Sequence, residues 1–190
     1  MNRCLFLGYN NNQSSLIRLI KKNKWKVIQY YQKRPSFTFI KFDLIISFGY
    51  RHIIPSSILK KVKRPIINLH MSYLPYNKGA HPNFWSFIEN TPKGVSIHEV
   101  SKKIDSGPII LRKKIKFTKN HNTYKKTYKK LKLELENLFK HNIKKILSGS
   151  YKKKTLSYKG TFHKKNDLPK FMKNWNMKIS VSKKKFLKQA

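Results

Sequence analysis

Three polar side chains in this sequence have the types and spacing to act together in a reaction. The segment "INLHMSYLP" ends an apolar run with Asn68 and His70, and "KKIDSG" sets Asp105 before a Ser-Gly turn. An amide and a protonated imidazole both donate to an oxyanion, which forms when an amine attacks an acyl carbon. A carboxylate beside them raises the pKa of the imidazole and can accept the proton that the amine loses. On spacing alone, an N-x-H pair also fits a structural histidine at a strand end.

Alternating strand and helix patterns would position these residues. Short apolar runs predict four strands, at 3–8, 25–31, 42–50 and 64–70. Helices are predicted at 14–23, where a serine can cap the first turn, and after Pro55. This order favours an α/β, Rossmann-like fold with a mostly parallel sheet flanked by helices. Asn68 and His70 then fall at the carboxyl end of the fourth strand, where parallel sheets carry functional groups.

The second half of the chain continues the α/β pattern. In order, it predicts a helix at 82–90, strands at 94–100 and 108–117, and a long helix at 123–147. Pro82 suits the first turn of the short helix, and Asn122 is the predicted cap of the long one. Beyond residue 150 the chain becomes Lys-rich and irregular. We therefore divide it into a catalytic domain, 1–150, and a C-terminal appendage, 151–190.

The charge of the chain is extreme. Lys and Arg total 44 against 7 acidic residues, for a formal net charge of +37. Such a charge is typical of proteins that bind nucleic acids or anionic membranes. The basic residues are 38 lysines and only 6 arginines, however, and proteins that bind phosphates favour the bidentate guanidinium. A lysine excess spread over the whole chain favours drift in an AT-rich coding sequence over selection for nucleic acid.

Several classes of protein are disfavoured by single features of the sequence. Cys4 is the only cysteine, so an internal disulfide and a cysteine-based metal site are excluded. No apolar run approaches the roughly 20 residues of a membrane span, and the opening apolar stretch is too short for a secretory signal. Of the 7 histidines, those at 52, 70, 81 and 98 lack the spacing of a metal site, so no metal is predicted. The chain is predicted to be cytoplasmic, with no membrane partner.

A series of short motifs lies between residues 68 and 110: Asn68-Leu69-His70, Ser72-Tyr73-Leu74-Pro75, Gly79, Gly94 with His98, and Asp105-Ser106-Gly107. Together these motifs resemble the folate-dependent formyltransferase family. The resemblance extends more weakly to 43–55. The family includes the sugar N-formyltransferases, which the segment "GAHPNFWSF" resembles most, and the glycinamide ribonucleotide and methionyl-tRNA formyltransferases.

This resemblance implies formyl transfer from 10-formyltetrahydrofolate, as co-substrate, to a primary amine. Asn68 and His70 would hold the developing oxyanion, and Asp105 would set the charge of His70 and manage protons. The implied folate pocket has one wall from Tyr50, Arg51, His52, Ile53 and Ile54 and another from Val100 and Ile104. The implied substrate-binding residues are Tyr73, Pro75, Gly79 and His98.

The resemblance also bears on the amine acceptor, for which a nucleotide-linked amino sugar is favoured. The first turn, "GYNNNQSS", lacks the Gly-rich cradle that a ribose phosphate would need, which disfavours glycinamide ribonucleotide. Methionyl-tRNA stays open as an acceptor because of the basic charge. A non-catalytic nucleic-acid-binding protein on this fold is the alternative from another class. The aromatic residues Tyr151, Tyr158 and Phe162 are candidates for a homodimer contact.

Overall fold

The structure, a computed structural model, describes residues 1–32 and 39–189. In chain order its elements are β1 (Arg3–Gly8), α1 (Leu16–Lys22), β2 (Lys26–Tyr30), β3 (Leu44–Phe48), α2 (Ser56–Leu59), β4 (Ile67–His70), β5 (Lys78–Gly79), α3 (Pro82–Ile88), β6 (Gly94–Glu99), β7 (Ile109–Lys114), α4 (Tyr124–His141), α5 (Ile143–Ser148), β8 (Phe162–His163) and α6 (Ile179–Leu187). The strands and helices predicted between residues 3 and 117 are confirmed, with shifted ends. Across the described ranges, none of the helices combines the length and apolar character needed to cross a bilayer.

A six-stranded sheet with the order β2-β1-β3-β4-β6-β7 forms the centre of the fold. The first four strands are parallel, and β6 pairs antiparallel with both β4 and β7. All 5 residues of β3 are buried, as expected for a parallel strand that is covered on both faces. The mostly parallel α/β architecture predicted from the sequence is therefore confirmed.

Helices cover both faces of this sheet. On one face, α1, α4 and α5 pack against strand residues such as Phe6, Ile46 and Leu69. On the other face, α2 packs through Ile58 on a smaller apolar cluster that contains Leu7. Each fully buried Leu, Ile or Phe side chain contributes about 1.5–3 kcal/mol, so the two clusters together fix β4 in the middle of the sheet.

The long helix predicted at 123–147 is two helices, α4 and α5, separated at Asn142. The Asn142 side-chain amide donates to the Leu138 carbonyl at 2.9 Å, and its backbone φ of −114° interrupts the helical turn. The first helix is capped by Thr123, whose hydroxyl accepts a backbone N–H of the first turn at 3.3 Å. The predicted cap, Asn122, is wrong by one residue, because Thr123 is the last residue with extended backbone angles.

Residues 151–189 contain structure that their sequence does not predict. The strand β8 pairs in parallel with β5, so that Lys78 lies opposite Phe162 and Gly79 opposite His163. The helix α6 packs against α3 over an apolar cluster. The buried centre of that cluster is Phe84, Trp85, Tyr124 and Met172. The tail therefore shares a core with α3 and α4, and a domain boundary at residue 150 stays a prediction.

Candidate active site

Two neighbouring strands bring the first polar side chains together. Asn68 and His70 share one face of β4, because side chains alternate along a strand and Ile67 and Leu69 pack on the opposite face. The antiparallel strand β6 places His98 directly opposite Asn68. The Asn68 amide nitrogen and His98 Nε2 are 3.1 Å apart. The register of the sheet thus makes His98 a partner of Asn68.

Asp105 completes the cluster from the loop that follows β6. Its backbone φ is 47°, in the left-handed region that short polar residues tolerate. Oδ1 accepts an N–H of Asn68 at 3.2 Å and lies 3.4 Å from His98 Nε2. Oδ2 accepts the Gly79 backbone N–H at 2.9 Å and lies 3.6 Å from His70 Nδ1. The three side chains predicted to be catalytic therefore converge at this carboxylate.

The Asp105 side chain is an ionised carboxylate at neutral pH. Burial favours its neutral acid form. The His70 imidazole and the Gly79 N–H favour the anion, and the contacts of this carboxylate together outweigh burial. The pKa of Asp105 is therefore held well below its ordinary value, and the site contains a fixed negative charge.

The ionisation of His70 differs from the expectation drawn from the sequence. Burial lowers the pKa of the imidazole, and the Asp105 carboxylate raises it. A contact of Nε2 with the Asn77 carbonyl oxygen, at 3.3 Å, also raises it. The net pKa of His70 lies below its ordinary value. Asp105 therefore acts on the pKa of His70 in the predicted direction, but desolvation of the buried ring outweighs that attraction.

The Asn68 amide is fully used within this cluster. His98 Nδ1 lies 2.8 Å from the Glu99 carbonyl oxygen, which only accepts, so Nδ1 carries the ring proton. His98 Nε2 then accepts one N–H of Asn68, and Asp105 accepts the other. An amide nitrogen has two N–H groups. Donation from Asn68 to an oxyanion therefore requires one of them to turn away from these partners.

The two segments predicted to enclose folate meet over one apolar cluster. Tyr50, Ile54 and Val100 all pack against the buried residues on the α2 side of the sheet. Ile53 and Ile104, one from each segment, are exposed by 78% and 43%. Each segment thus has residues anchored in the core and one isoleucine open to solvent.

The segment between β3 and α2 also has backbone groups that no described residue engages. Within the part of the chain that the structure describes, no hydrogen bond engages the N–H groups of residues 51–54. Arg51 is exposed, and the His52 ring lies edge-on to that of Tyr50, with centroids 5.1 Å apart. The Tyr50 hydroxyl donates to the Gln32 carbonyl oxygen at 3.1 Å. Unpaired backbone N–H groups suit a flat heterocycle that carries both donors and acceptors.

The four residues predicted to bind substrate separate into two pairs. Gly79 and His98 both contact Asp105, and the His98 side chain is only 1% exposed, so it supports the cluster from behind. Tyr73 lies beneath a guanidinium of β7, which is 4.5 Å from the centroid of its ring. Pro75 is buried. The structure therefore brings the first pair into the cluster and gives the second pair other contacts.

Sequence reasoning misses Asn77, which is fully buried beside the cluster. Its backbone φ is 56°, and its carbonyl oxygen is the group that faces His70 Nε2. The sequence signal is its place in an N-K-G turn, which predicts a bend in the chain and not a contact with the site. Any residue has a backbone carbonyl, so the residue type does not indicate that this carbonyl contacts the site.

Two hollows of the surface lie away from this cluster. The first, of about 310 Å³, is lined by Asn120, His121, Lys126, Lys129, Lys130 and Leu133. The second, of about 250 Å³, is lined by Asn2, Trp25, Asp43, Lys63, Arg64, Leu147 and Ser148. Among the described residues, no group of three or more His, Cys, Asp or Glu is arranged to hold a metal ion. The polar cluster, and not a hollow, is therefore what marks the candidate site.

The fold and the cluster have counterparts in known proteins. The family model described as "Formyl transferase" matches residues 5–142, a stretch that includes Asn68, His70 and Asp105. The match covers most of the chain. This chain therefore belongs to the formyl transferase family.

Individual relatives are similar over different parts of their length. The crystal structure of the formyltransferase PseJ from Anoxybacillus kamchatkensis, in complex with UDP-4,6-dideoxy-4-formamido-L-AltNAc and tetrahydrofolate, is 34% identical with a TM-score of 0.87, covering 94% of this chain and 96% of that one. The dTDP-4-amino-4,6-dideoxyglucose formyltransferase of Mycobacterium tuberculosis is 28% identical over 127 residues, which are 67% of this chain and 53% of that protein. The methionyl-tRNA formyltransferase of Prochlorococcus marinus is 34% identical over 151 residues, which are 75% of this chain and 46% of that protein. The chain thus spans about half the length of these curated relatives.

Proposed function

We propose that this chain is an enzyme that transfers a formyl group from 10-formyltetrahydrofolate to the primary amine of a nucleotide-linked amino sugar. The observation that carries the proposal is the convergence of Asn68, His70 and Asp105 in a member of the formyl transferase family. The PseJ complex adds support, because a nucleotide-linked formamido sugar and a folate without its formyl group are the two products that such a transfer would leave.

The residues of the cluster suit the charges that this reaction creates. When bound, the folate supplies the formyl carbon that the amine attacks, and its N10 is the leaving group. Asn68, with one N–H turned away from its present partner, and the N–H of His70 are the donors for the negative charge that develops on the formyl oxygen. Asp105 is ionised, so it attracts the amine as that becomes positive and accepts its surplus proton, directly or through water. The same proton is returned to the leaving nitrogen.

The folate is assigned to the space between residues 50–54 and 100–105. Apolar side chains from both segments meet over one cluster, and each segment leaves an isoleucine exposed. The N–H groups of 51–54, which no described residue engages, add hydrogen-bond donors on one side. A pocket of this kind combines apolar walls with a few fixed polar groups, which is what a pterin needs.

The proposal also covers the cellular location of the protein and its oligomeric state. We place the reaction in the cytoplasm, in keeping with a chain whose only cysteine, Cys4, is free and buried. A homodimer is proposed through Tyr158 and Phe162, which are exposed by 44% and 45%. Tyr151 is a weaker candidate for that contact, because it is partly buried and packs on the main apolar cluster of its own chain.

The direct test is a panel of amine acceptors with 10-formyltetrahydrofolate. The panel contains nucleotide-linked amino sugars with the amine at different ring positions, glycinamide ribonucleotide and charged initiator tRNA. We expect formylation of a nucleotide sugar, detected by mass spectrometry, and its loss in Asp105→Asn with the far-UV circular dichroism unchanged. If no acceptor is formylated by a folded preparation that binds folate, the proposed function is wrong.

Methionyl-tRNA is the second candidate acceptor, and two observations favour it. The net charge is +37, and a methionyl-tRNA formyltransferase is among the relatives. A tRNA acceptor predicts that its KM rises steeply with salt, because each phosphate contact releases counterions. A nucleotide sugar carries few charges, so its KM should depend much less on salt. Tight, salt-steep binding of nucleic acid without any use of folate would instead indicate a non-catalytic binding protein.

A further inference from the structure

The loop that follows β4 is held against the catalytic cluster by a segment from the far end of the chain. Residues 160–163 lie along residues 75–80, and the two short strands β5 and β8 pair there. The Lys78 N–H donates to the Thr161 carbonyl oxygen, and the Ala80 N–H donates to the His163 carbonyl oxygen, both at 2.9 Å. The tail thus forms the outer support of the loop.

Thr161 makes the most specific of these contacts. Its hydroxyl oxygen accepts the backbone N–H of Asn77 at 2.8 Å and the side-chain N–H of the same residue at 3.3 Å. The same amide nitrogen also donates to the Glu89 carboxylate at 3.0 Å, and the amide oxygen accepts from the Thr91 hydroxyl at 2.7 Å. Asn77 is therefore fixed on all sides, although its left-handed backbone would otherwise be only marginally favoured.

The loop held by the tail contacts the catalytic residues at two points. The carbonyl oxygen of Asn77 faces His70 Nε2, so the position of Asn77 sets an acceptor against the imidazole. Two residues further on, the Gly79 N–H donates to Asp105 Oδ2. A β-carbon on Gly79 would lie 2.3 Å from the His163 carbonyl oxygen, so the tail approaches the loop as closely as a glycine allows.

The tail is anchored where it makes these contacts. The His163 ring stacks on Trp85 with centroids 3.9 Å apart and an angle of 7° between the planes. His163 Nε2 lies 2.8 Å from a carboxylate oxygen of Glu89, the residue that also binds Asn77. The anchoring restricts Thr161 to one position relative to the loop.

We propose that residues 160–163 are a positioning element of the active site and that Thr161 is its positioning residue. Through Asn77, the tail fixes the orientation of the His70 ring, and through the β5–β8 pairing it fixes the Gly79 N–H on Asp105. The inference extends the proposed formyl transfer by assigning part of the Lys-rich tail to catalysis. Only the expected loss of kcat depends on the proposed formyl transfer; the contacts between Thr161, Asn77 and His70 do not.

The test compares Thr161→Val, which removes the hydroxyl and keeps the shape, with Thr161→Ser, which keeps the hydroxyl. Thr155→Val, at an exposed position of the same tail, is the matched control. We expect Thr161→Val to lose about tenfold or more in kcat, since small displacements of catalytic groups are costly, with a smaller change in KM for folate. Thr161→Ser should recover most of that loss, and Thr155→Val should match the wild type.

The second readout is the pKa of His70, measured by NMR titration of the ring without any substrate. The Asn77 carbonyl favours the protonated imidazole, so a displaced Asn77 should lower the pKa of His70 in Thr161→Val. A role confined to stability would not move this pKa. Because the titration needs no acceptor, it decides the inference even if the chain proves to transfer no formyl group.

A variant at a second position can be measured if Thr161→Val does not fold. Thr91→Val removes the other hydroxyl that binds the Asn77 side chain, and the same fall in the pKa of His70 is expected. It replaces Thr161→Val if that protein is not folded. A wild-type His70 pKa in whichever of the two variants folds, together with wild-type kcat, would overturn the proposal.

Discussion

His70 Nδ1 lies 3.6 Å from Asp105 Oδ2, within ion-pair distance and beyond the reach of a hydrogen bond. The two side chains are exposed by only 10% and 11%, so water screens their interaction poorly. The contact is therefore electrostatic. It raises the pKa of the imidazole and lowers the pKa of the carboxylate, in each case against the effect of burial.

Asp105→Asn should remove most of the activity while leaving the fold. The substitution keeps the size of the side chain and takes away the charge that accepts a proton, so we expect kcat to fall by about 10²–10⁴-fold. The pKa of His70 should fall further below its ordinary value, because the one charge that raises it is lost. Steady-state kinetics and NMR titration of the ring measure the two effects. Asp167→Asn, at an exposed position, is the control and should change neither.

The stability of the protein should depend on the ionisation of Asp105 at acid pH. The pKa of this carboxyl is depressed in the folded state, so its stabilising effect is complete above the unfolded value of about 4 and is lost as pH falls through the folded value. Urea unfolding from pH 6 to pH 3 measures the change. The free energy of unfolding should fall less steeply below pH 4 in Asp105→Asn than in the wild type. Parallel curves would mean that the carboxylate is not stabilised by folding.

His70 should contribute to the same curves at higher pH. Folding lowers the pKa of His70 below its unfolded value of about 6.5. The protein therefore has the full stability above that pH, and its free energy of unfolding declines as pH falls towards the folded pKa. His70→Asn should flatten the curve between pH 7 and pH 5. If His70→Asn leaves the slope of the free energy of unfolding unchanged between pH 7 and pH 5, His70 does not titrate in that pH range.

Gly79→Ala should destabilise the protein and lower its activity together. A β-carbon there would meet the His163 carbonyl oxygen, a backbone atom, and φ is 85°. The strain should cost about 1–3 kcal/mol in the free energy of unfolding and should displace the N–H that binds Asp105. Gly149→Ala is the matched control. Its φ is 83°, but its β-carbon would meet the flexible end of Arg64 and lies far along the chain from the loop, so it should lose stability and keep kcat.

The central sheet could be predicted because its strands carry the pattern that burial imposes. A run such as "LIISF" in β3 is buried throughout, and it has no other stable place in an α/β fold. The break of the long helix at Asn142 could not be predicted in the same way. The apolar face continues across it, with Phe139 and Ile146 buried in one cluster, and only the side-chain hydrogen bond of Asn142 marks the interruption.

Part of the candidate active site could be predicted from the sequence, again because a strand imposes a regular pattern on its side chains. Asn68 and His70 stand on one strand, so their shared face follows from the two-residue period of a strand. Their pairing with His98 depends on the register of an antiparallel neighbour, which a single sequence does not specify. The contacts of Asn77 and Thr161 join residues 84 positions apart through a backbone N–H and a hydroxyl, and β8 is too short to have a period. Such contacts become visible only in three dimensions.

The assignment of the folate pocket makes a prediction at two exposed isoleucines. Ile53→Asp and Ile104→Asp should each weaken binding of 5-formyltetrahydrofolate by about 10–100-fold, because a buried isoleucine contributes about 1.5–3 kcal/mol and a carboxylate would have to be desolvated. Both side chains are exposed without ligand, so the unfolding temperature should change little. Leu133→Asp is the control, since Leu133 is exposed by 53% on α4. Calorimetric titration measures all three variants. Equal affinity for Leu133→Asp and both isoleucine variants would remove residues 50–54 and 100–105 from the folate site.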